Sequence, residues 1–335
     1  MGFNNATQKD VATKAGVSQA TVSNALNPSS ALNIPSQTIE RIKKVAQELN
    51  YKPNRFAKAL RTNRTQTLAC IIPDITNPFY PALVKGVQRA CEAADYDVVT
   101  LNTDGSKNRE LHYIELAKQG RYDGLVGVFF NLSSSHFEEL AELNIPVVRL
   151  ESSARAQAQQ FFDSLYVDDD SAFEEITQLL IDKGHTDICM ISGKGGPQHL
   201  RVSGYKKALA DAGIKPFVQL EEEFNENGGE MALQKLLSKR HVPSAIVAAN
   251  DLMAIGCMRV IKKLGLSIPD QIAVTGFDNI PAAELVTPAL TTIDRFQGDS
   301  AIKAAKLIIG RLNKQVIGHG QTIKQPYRII RRNSA

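Results

Sequence analysis

Residues 7–27 read Thr7-Gln8-Lys9-Asp10-Val11-Ala12-Thr13-Lys14-Ala15-Gly16-Val17-Ser18-Gln19-Ala20-Thr21-Val22-Ser23-Asn24-Ala25-Leu26-Asn27. Two short helices are written in this run. Thr7, with Asp10 three residues on, opens the first in the manner of a capping box, and Val11, Ala12 and Ala15 supply its apolar face. Gly16 then provides a residue free to take positive φ and turn the chain. Ser18 caps a second helix over 19–26, whose apolar side is Val22, Ala25 and Leu26. Helix, tight glycine turn and capped helix predict a helix-turn-helix. Downstream, Ile39, Ile42, Val45, Ala46 and Leu49 recur at helical spacing and predict a third helix that completes a minimal core.

The side of the second helix not used for packing carries Gln19, Ala20, Thr21, Ser23 and Asn24. These are short or amide side chains rather than a salt-bridged Lys/Glu face. Gln and Asn can satisfy the edge of an adenine bidentately, while Ser18, Thr21 and the helix N-terminus can reach phosphate. Charge points the same way. The 335-residue chain has 39 Lys+Arg and 35 Asp+Glu, for a net charge of +4. Residues 1–66 hold 10 of the basic and 3 of the acidic residues, so they carry +7 and the remainder −3. A cationic head on a mildly acidic body suits a polyanionic partner.

The stretch Tyr51-Lys52-Pro53-Asn54-Arg55-Phe56-Ala57-Lys58-Ala59-Leu60-Arg61 comes next. Pro53 ends the preceding helix, and Asn54 can cap a new one of about two turns. A helix so short is marginal alone. Leu60, among Arg55, Lys58 and Arg61, suits a wedge into the minor groove of DNA; the plainer reading is a linker residue packed on the body.

The 7–27 run resembles the head signature of the lactose-repressor (LacI/GalR-type) family of bacterial transcription regulators. Tyr51-Lys52-Pro53-Asn54, with Ala57, Lys58 and Leu60, is similar to that family's hinge helix. Many members carry Arg or His where Asn24 stands, so the operator half-site need not be theirs. The resemblance implies an α/β protein: an all-α helix-turn-helix head with a hinge helix, then a periplasmic-binding-protein-like body of two doubly wound parallel-sheet lobes. The expected domains are a head at 1–52, a hinge helix and linker at 53–66, and a body at 67–335 that binds effector and dimerises. The N-lobe is expected near 67–165 and 295–319, and the C-lobe near 166–294 and 320–331. The implied partners are a pseudo-palindromic double-stranded DNA operator, a small-molecule effector and a second copy of the chain. DNA contacts are expected from Thr7, Ser18, Gln19, Ala20, Thr21, Ser23, Asn24, Asn54, Arg55, Ala57, Lys58 and Leu60.

From Leu68 onward, the pattern itself supports such a body. Apolar runs at 68–72, 97–101, 124–129, 146–150, 164–167, 187–191, 245–248 and 272–274 alternate with amphipathic stretches such as 81–94, 169–183, 200–212, 229–237 and 252–264. This alternation predicts parallel sheets covered by helices on both faces, and so many strands favour two sheets over one. Ligands of such sheets bind beyond the C-terminal ends of the strands. Those ends carry Asp74 to Tyr80, Glu151-Ser152-Ser153, Gly193-Lys194-Gly195-Gly196 followed by Arg201, Phe224, Asn250-Asp251 and Gly276-Phe277-Asp278-Asn279. Carboxylates, an amide, a guanidinium and aromatic faces together suit a sugar or a related polar metabolite. Each group also has a plainer role: Asp251 and Asn279 as helix caps, Phe79 and Phe224 as core, Arg201 as the partner of a structural carboxylate. The resemblance implies that Glu151, Arg201, Phe224, Asn250 and Asp278 line the effector cleft, with Asn77, Phe79 and Tyr80 at its edge. Gly195 and Pro197 stand where purine-binding members carry polar contacts, which counts against a purine.

Other classes find little support. There is no phosphate loop, no HExxH or GxSxG motif, and the six His show no metal spacing, so neither an enzyme, a cofactor nor a metal is expected. Four scattered cysteines read as buried thiols, and Met1 to Thr7 lacks the pattern of an export signal, so a cytoplasmic protein is expected. The alternatives are a two-lobe sugar-transport protein or a sugar- or nucleotide-dependent enzyme with a fused basic domain. The tail after Arg328 has no heptad, which favours a dimer over a coiled-coil tetramer.

Overall fold

A computed structural model describes residues 6–26, 34–54, 59–60, 62–151, 161–221, 223–239 and 241–335, with the backbone alone at Glu151. The chain forms two compact units, Met1–Thr65 and Gln66–Ala335.

The head contains helices α1 (Gln8–Ala15), α2 (Gln19–Ala25) and α3 (Ser36–Glu48). The predicted capping box is complete: the Thr7 N–H donates to Asp10 Oδ2 (2.8 Å), and the Asp10 N–H donates to Thr7 Oγ1 (3.3 Å). Gly16 takes the left-handed conformation at φ 64°, ψ 39°, and closes α1. Ser18 then caps α2 by accepting from the Thr21 N–H at 3.1 Å. Gln8 Nε2 donates to the Gln19 carbonyl at 2.7 Å, which pins the start of α1 to the start of α2. Val11, Ala12, Ala15, Val22, Ala25, Ile42, Val45 and Ala46 form the core, with Ile39 and Leu49 packed at its edge.

The body has two lobes. In the N-lobe, β1 (Thr67–Ile72), β2 (Asp97–Asn102), β3 (Gly124–Gly127), β4 (Val147–Glu151), β5 (Asp163–Tyr166) and β11 (Thr322–Lys324) make one sheet in the order β11-β5-β4-β3-β1-β2. Every pair is parallel. Along β1 the side chains alternate between two cores. Leu68, Cys70 and Ile72 pack toward α4 (Phe79–Glu92) and α12 (Gln297–Leu312). Ala69 and Ile71 pack toward α5 (Lys107–Lys118) and Phe137. In the C-lobe, β6 (Ile188–Gly193), β7 (Phe217–Glu221), β8 (Ala245–Ala248) and β9 (Ala273–Thr275) form a parallel sheet in the order β7-β6-β8-β9. It is flanked by α7 (Asp169–Asp182), α8 (Gln198–Asp211), α9 (Glu226–Ser238) and α10 (Asp251–Lys263). A short antiparallel pair, β10 (Thr292–Asp294) with β12 (Arg328–Ile330), completes it.

The chain passes between the lobes three times: after β5, after β10 and after β11. These crossings are tied together. Lys324 pairs with Asp168 at 3.0 Å, the Gln325 N–H donates to the Tyr166 carbonyl at 2.7 Å, and the Arg328 guanidinium lies 5.5 Å from the Phe296 ring centre.

The lobe boundaries differ from expectation at the C-terminal end. Residues 320–331 were expected in the C-lobe, but β11 pairs in parallel with β5 and belongs to the N-lobe sheet. Three residues of alternating exposure offer too weak an apolar signal to mark an edge strand. The strand β7 is not among the expected apolar runs; it ends at Glu221. All four cysteines are free and buried, and burial pushes the Cys70 thiol up to about 12 and Cys91 to about 11. Among the described residues no helix is long and apolar enough to cross a membrane.

Candidate functional site

Two sites emerge, one on each unit. On the head, packing fixes the direction of α2. Val22 and Ala25 enter the core, so Gln19 and Ala20 stand exposed, with Thr21, Ser23 and Asn24 half-exposed beside them. Ser18 and Thr21 share a hydroxyl–hydroxyl contact of 2.9 Å at the start of this face. Thr7 serves as a cap, donating its hydroxyl to Asp10 at 2.7 Å. Asn54 is exposed; Arg55, Ala57 and Lys58 lie outside the described residues. Leu60 is helical and 89% exposed, the largest exposure of any bulky apolar residue described. An apolar side chain so open to water is not packed into a core among the described residues.

In the body, a cavity opens where the C-terminal ends of the strands face each other. Phe79 and Tyr80 reach it from beyond β1, Val128 and Phe130 from beyond β3, Leu150 from β4 and Val167 from beyond β5. Pro197 and Arg201 come from the start of α8, and Arg295, Gln297 and Ser300 from the start of α12. Phe130 is held in place by buried Glu110, whose carboxylate accepts from the N–H groups of Phe130 (3.0 Å) and Asn131 (3.1 Å).

The floor is a stack of charge and rings. Arg201 donates from Nε to Asp169 Oδ2 (2.9 Å) and from Nη1 to the Ala249 carbonyl (2.7 Å), with its guanidinium carbon 4.5 Å from the Phe277 ring centre. Arg295 lies 5.2 Å from the ring centres of both Phe277 and Phe79. It makes ion pairs with Asp169 (3.5 Å) and Asp278 (3.7 Å). Asp169 therefore bridges both arginines. Gly204 makes this possible: a Cβ there would meet the Asp170 carbonyl at 1.9 Å, so only glycine lets α8 lie close enough to α7 for Arg201 to reach Asp169. Burial lifts the Asp278 carboxyl to about 6, against the pull of Arg201 and Arg295. Burial and the neighbouring Asp278 also push the Tyr80 phenol up, so it remains a neutral hydroxyl. Asp278 sits at φ 109°, a conformation that side-chain-bearing residues rarely adopt.

The expected residues divide accordingly. Phe79, Tyr80 and Arg201 line the cavity, and Asp278 stands one ion pair behind it. Asn77, Asn250 and Phe224 do not line it. Asn77 accepts from the Phe79 N–H at 3.1 Å and shapes the turn into α4. Asn250 caps α10, accepting from the Met253 N–H (2.9 Å), while its amide donates to the Phe224 carbonyl (2.8 Å). Phe224 lays its ring over Gly193. Glu151 ends β4. The cap was expected one residue later, at Asp251; that carboxylate is instead buried against the Ile280 N–H and the Thr292 hydroxyl. Asn279 is not a cap either, since it bonds Arg332 and Asp294. Sequence reading missed Arg295, Gln297 and Asp169. A signal existed for two of them: Asp294-Arg295 and Asp168-Asp169-Asp170 each follow a short apolar run. Among the described residues no cluster of side chains could hold a metal ion.

A helix-turn-helix head joined to a two-lobe receptor body defines a DNA-binding transcription regulator under small-molecule control, not an enzyme. Residues 7–54 match the bacterial regulatory proteins, lacI family, and residues 65–332 match the periplasmic binding proteins and sugar binding domain of LacI family; the chain belongs to the LacI family. The ribose operon repressor of Escherichia coli (strain K12) is 35% identical over 93% of this chain and 94% of its own. Catabolite control protein A of Priestia megaterium is 31% identical over 98% and 99%. Among solved structures, the lac repressor dimer bound to operator and the anti-inducer ONPF superposes with a TM-score of 0.86 at 23% identity, covering 99% of both chains, a likeness of fold. A LacI family transcriptional regulator from Enterococcus faecium with bound ribose gives 0.71 at 26% identity over 80% of this chain and 98% of its own.

Proposed function

We propose that this chain is a repressor, working as a homodimer on a pseudo-palindromic operator, whose grip on DNA is set by a small sugar bound between the lobes of its body. The observation that carries this reading is the pairing, in one chain, of a solvent-facing polar helix face on a cationic head with a polar, ring-walled cleft in the body. The 35% identity to a ribose operon repressor supports the sugar.

In this reading α2 lies in the major groove. Gln19, Ala20, Ser23 and Asn24 meet base edges, while Thr7, Ser18 and Thr21 meet phosphate. Leu60 enters the minor groove at the operator centre, flanked by Asn54, Arg55, Ala57 and Lys58. In the body, Phe79, Tyr80, Arg201, Arg295 and Gln297 hold the sugar, with Asp278 as counter-charge behind them. Asn77 and Asn250 act at one remove, Asn77 by shaping the turn into α4 and Asn250 by capping α10. Because the effector sits at the crossings, binding changes the angle between lobes, and the linkage to DNA affinity is reciprocal.

The test is selection of the full-length protein against randomised duplexes at low salt, followed by titration of monosaccharides into the selected complex. A two-fold-symmetric site should emerge, with affinity falling steeply with salt, and one sugar should shift it by about five-fold or more. Failure to enrich any duplex, with or without sugars, would overturn the reading. Asn24→Ala should relax choice at one or two base pairs; a uniform loss over all sequences would make Asn24 a phosphate contact instead.

A further inference from the structure

We propose that the effector is a small polyhydroxylated anion, a sugar bearing one carboxylate or phosphate group, and that Arg295 is the residue that selects it. This rests on the sugar-effector reading above and narrows it.

Among the described residues, the charged side chains lining the cavity are Arg201 and Arg295; Asp169 and Asp278 are buried behind them. The two arginines are in different states. Arg201 is anchored by two hydrogen bonds, with Nε on Asp169 at 2.9 Å and Nη1 on the Ala249 carbonyl at 2.7 Å. It is part of the wall. Arg295 has only its two ion pairs, at 3.5 and 3.7 Å, both longer than the roughly 2.7–3.2 Å of a hydrogen bond. Its Nε is buried with no hydrogen-bond partner among the described residues. A guanidinium brings five N–H donors into the site, and a buried donor left unmatched is costly.

Geometry then selects the acceptor. Phe79 and Phe277 each lie 5.2 Å from the Arg295 guanidinium carbon, so aromatic rings attend its faces and its in-plane N–H fork remains for a ligand. A planar fork matches the two oxygens of a carboxylate or phosphate. The rest of the cavity suits a polyol backbone. Gln297 Oε1 is buried with no partner among the described residues, an acceptor awaiting a hydroxyl. Tyr80 and Ser300 add hydroxyls, and Phe130, Val128 and Leu150 cover a C–H face. A neutral sugar offers the Arg295 Nε–H only a hydroxyl oxygen, whereas an anion would make that hydrogen bond charge-assisted on both sides.

The test is calorimetric titration of the full-length protein with two matched sets: D-ribose, D-ribonate and D-ribose 5-phosphate; D-glucose, D-gluconate and D-glucose 6-phosphate. In at least one set an anion should bind about ten-fold or more tightly than its neutral parent, and the better of the two anions identifies the group. Arg295→Gln should bring that ratio to within about three-fold, while Arg295→Lys, which keeps the charge beside Asp169 and Asp278, should retain part of it. The wild-type ratio needs no variant, so a folding defect cannot decide the matter. Neutral parents binding as tightly as their anions would overturn this inference and leave the sugar reading intact. A preference that survives Arg295→Gln in folded protein would overturn the role of Arg295. Silence from all six compounds would overturn the sugar reading itself.

Discussion

The head and the body recognise their targets with opposite economies of chain. The head's core comes from residues between Val11 and Ala46, and its polar face from the single helix α2. The body's cleft draws on residues from Phe79 to Gln325, delivered by both sheets and by all three crossings. A groove in a polymer can be met by one rigid ridge. A small molecule must be enclosed, so the chain has to return to the same place repeatedly. The difference also concerns stability. The head rests on eight small-to-medium apolar side chains, whereas the body rests on three extended clusters.

The sharpest way to break this contrast is Arg201→Met. Arg201 and Asp169 are 5% and 0% exposed at their side chains, so removing the cation leaves a buried carboxylate without its closest partner. Breaking such a pair costs about 3–5 kcal/mol. Calorimetry should show the body's transition falling by several degrees and the head's unmoved, with effector heat lost. An unchanged body transition would mean that the cleft floor is not a stability element and that the two units differ less than argued.

Ile42→Ala probes the other side. Ile42 is fully buried at the centre of the head's core, and its truncation should cost about 2–4 kcal/mol. A core of this size supplies only about that much. Operator binding should therefore collapse while effector binding persists. Ile71→Ala, an equal truncation of a fully buried residue in the N-lobe, should lower melting yet leave a folded, effector-binding body. Equal tolerance in the two units would refute the claim that the head is the thinner structure.

The same contrast governs what could be read from sequence. In the head, Thr7, Gly16 and Ser18 each act within four residues of themselves, so the caps that start α1 and α2 and the turn between these helices were legible. In the body the alternation of strands and helices was legible because parallel strands are apolar throughout. The site was legible only in part. Arg201 and Tyr80 could be placed at strand ends, but whether an amide such as Asn250 faces a ligand or its own helix depends on the neighbouring Phe224 carbonyl, which arrives from 26 residues away. Arg295 was missed because β10 is three residues long and pairs with β12 from the far end of the chain. Asp294-Arg295 does follow a short apolar run, but nothing local shows that this run is a strand whose end faces the cleft.

Asp278→Asn sharpens the contrast by pH. Burial lifts the folded Asp278 carboxyl to about 6, above its ordinary value of 3.8. Between those values the folded chain keeps a proton that the unfolded chain has released, so the body loses stability as pH rises across that window. The loss from this group is on the order of 2 kcal/mol. Asparagine accepts the positive φ of this position and cannot ionise. Urea titrations of the variant should therefore show a flatter decline from pH 4 to 6.5 than wild type. Some decline remains, because Asp251 is also pushed up by burial and by Asp278. Identical slopes would mean that Asp278 is ionised as readily as an exposed carboxylate.

The smallest expected effect belongs to the head's turn. Gly16 holds φ 64°, and a Cβ built there meets nothing within 4 Å. Gly16→Ala thus changes no packing and tests backbone conformation alone. An L-residue in the left-handed region costs roughly 1 kcal/mol, partly offset by the lower entropy of the unfolded alanine chain. The head's melting should drop by a few degrees and operator affinity should weaken modestly, with the base preference of α2 unchanged. A change in preferred sequence would be the more instructive result. It would mean that the turn sets the angle between α1 and α2 finely enough to be part of recognition, and that the head's reading surface extends beyond a single helix.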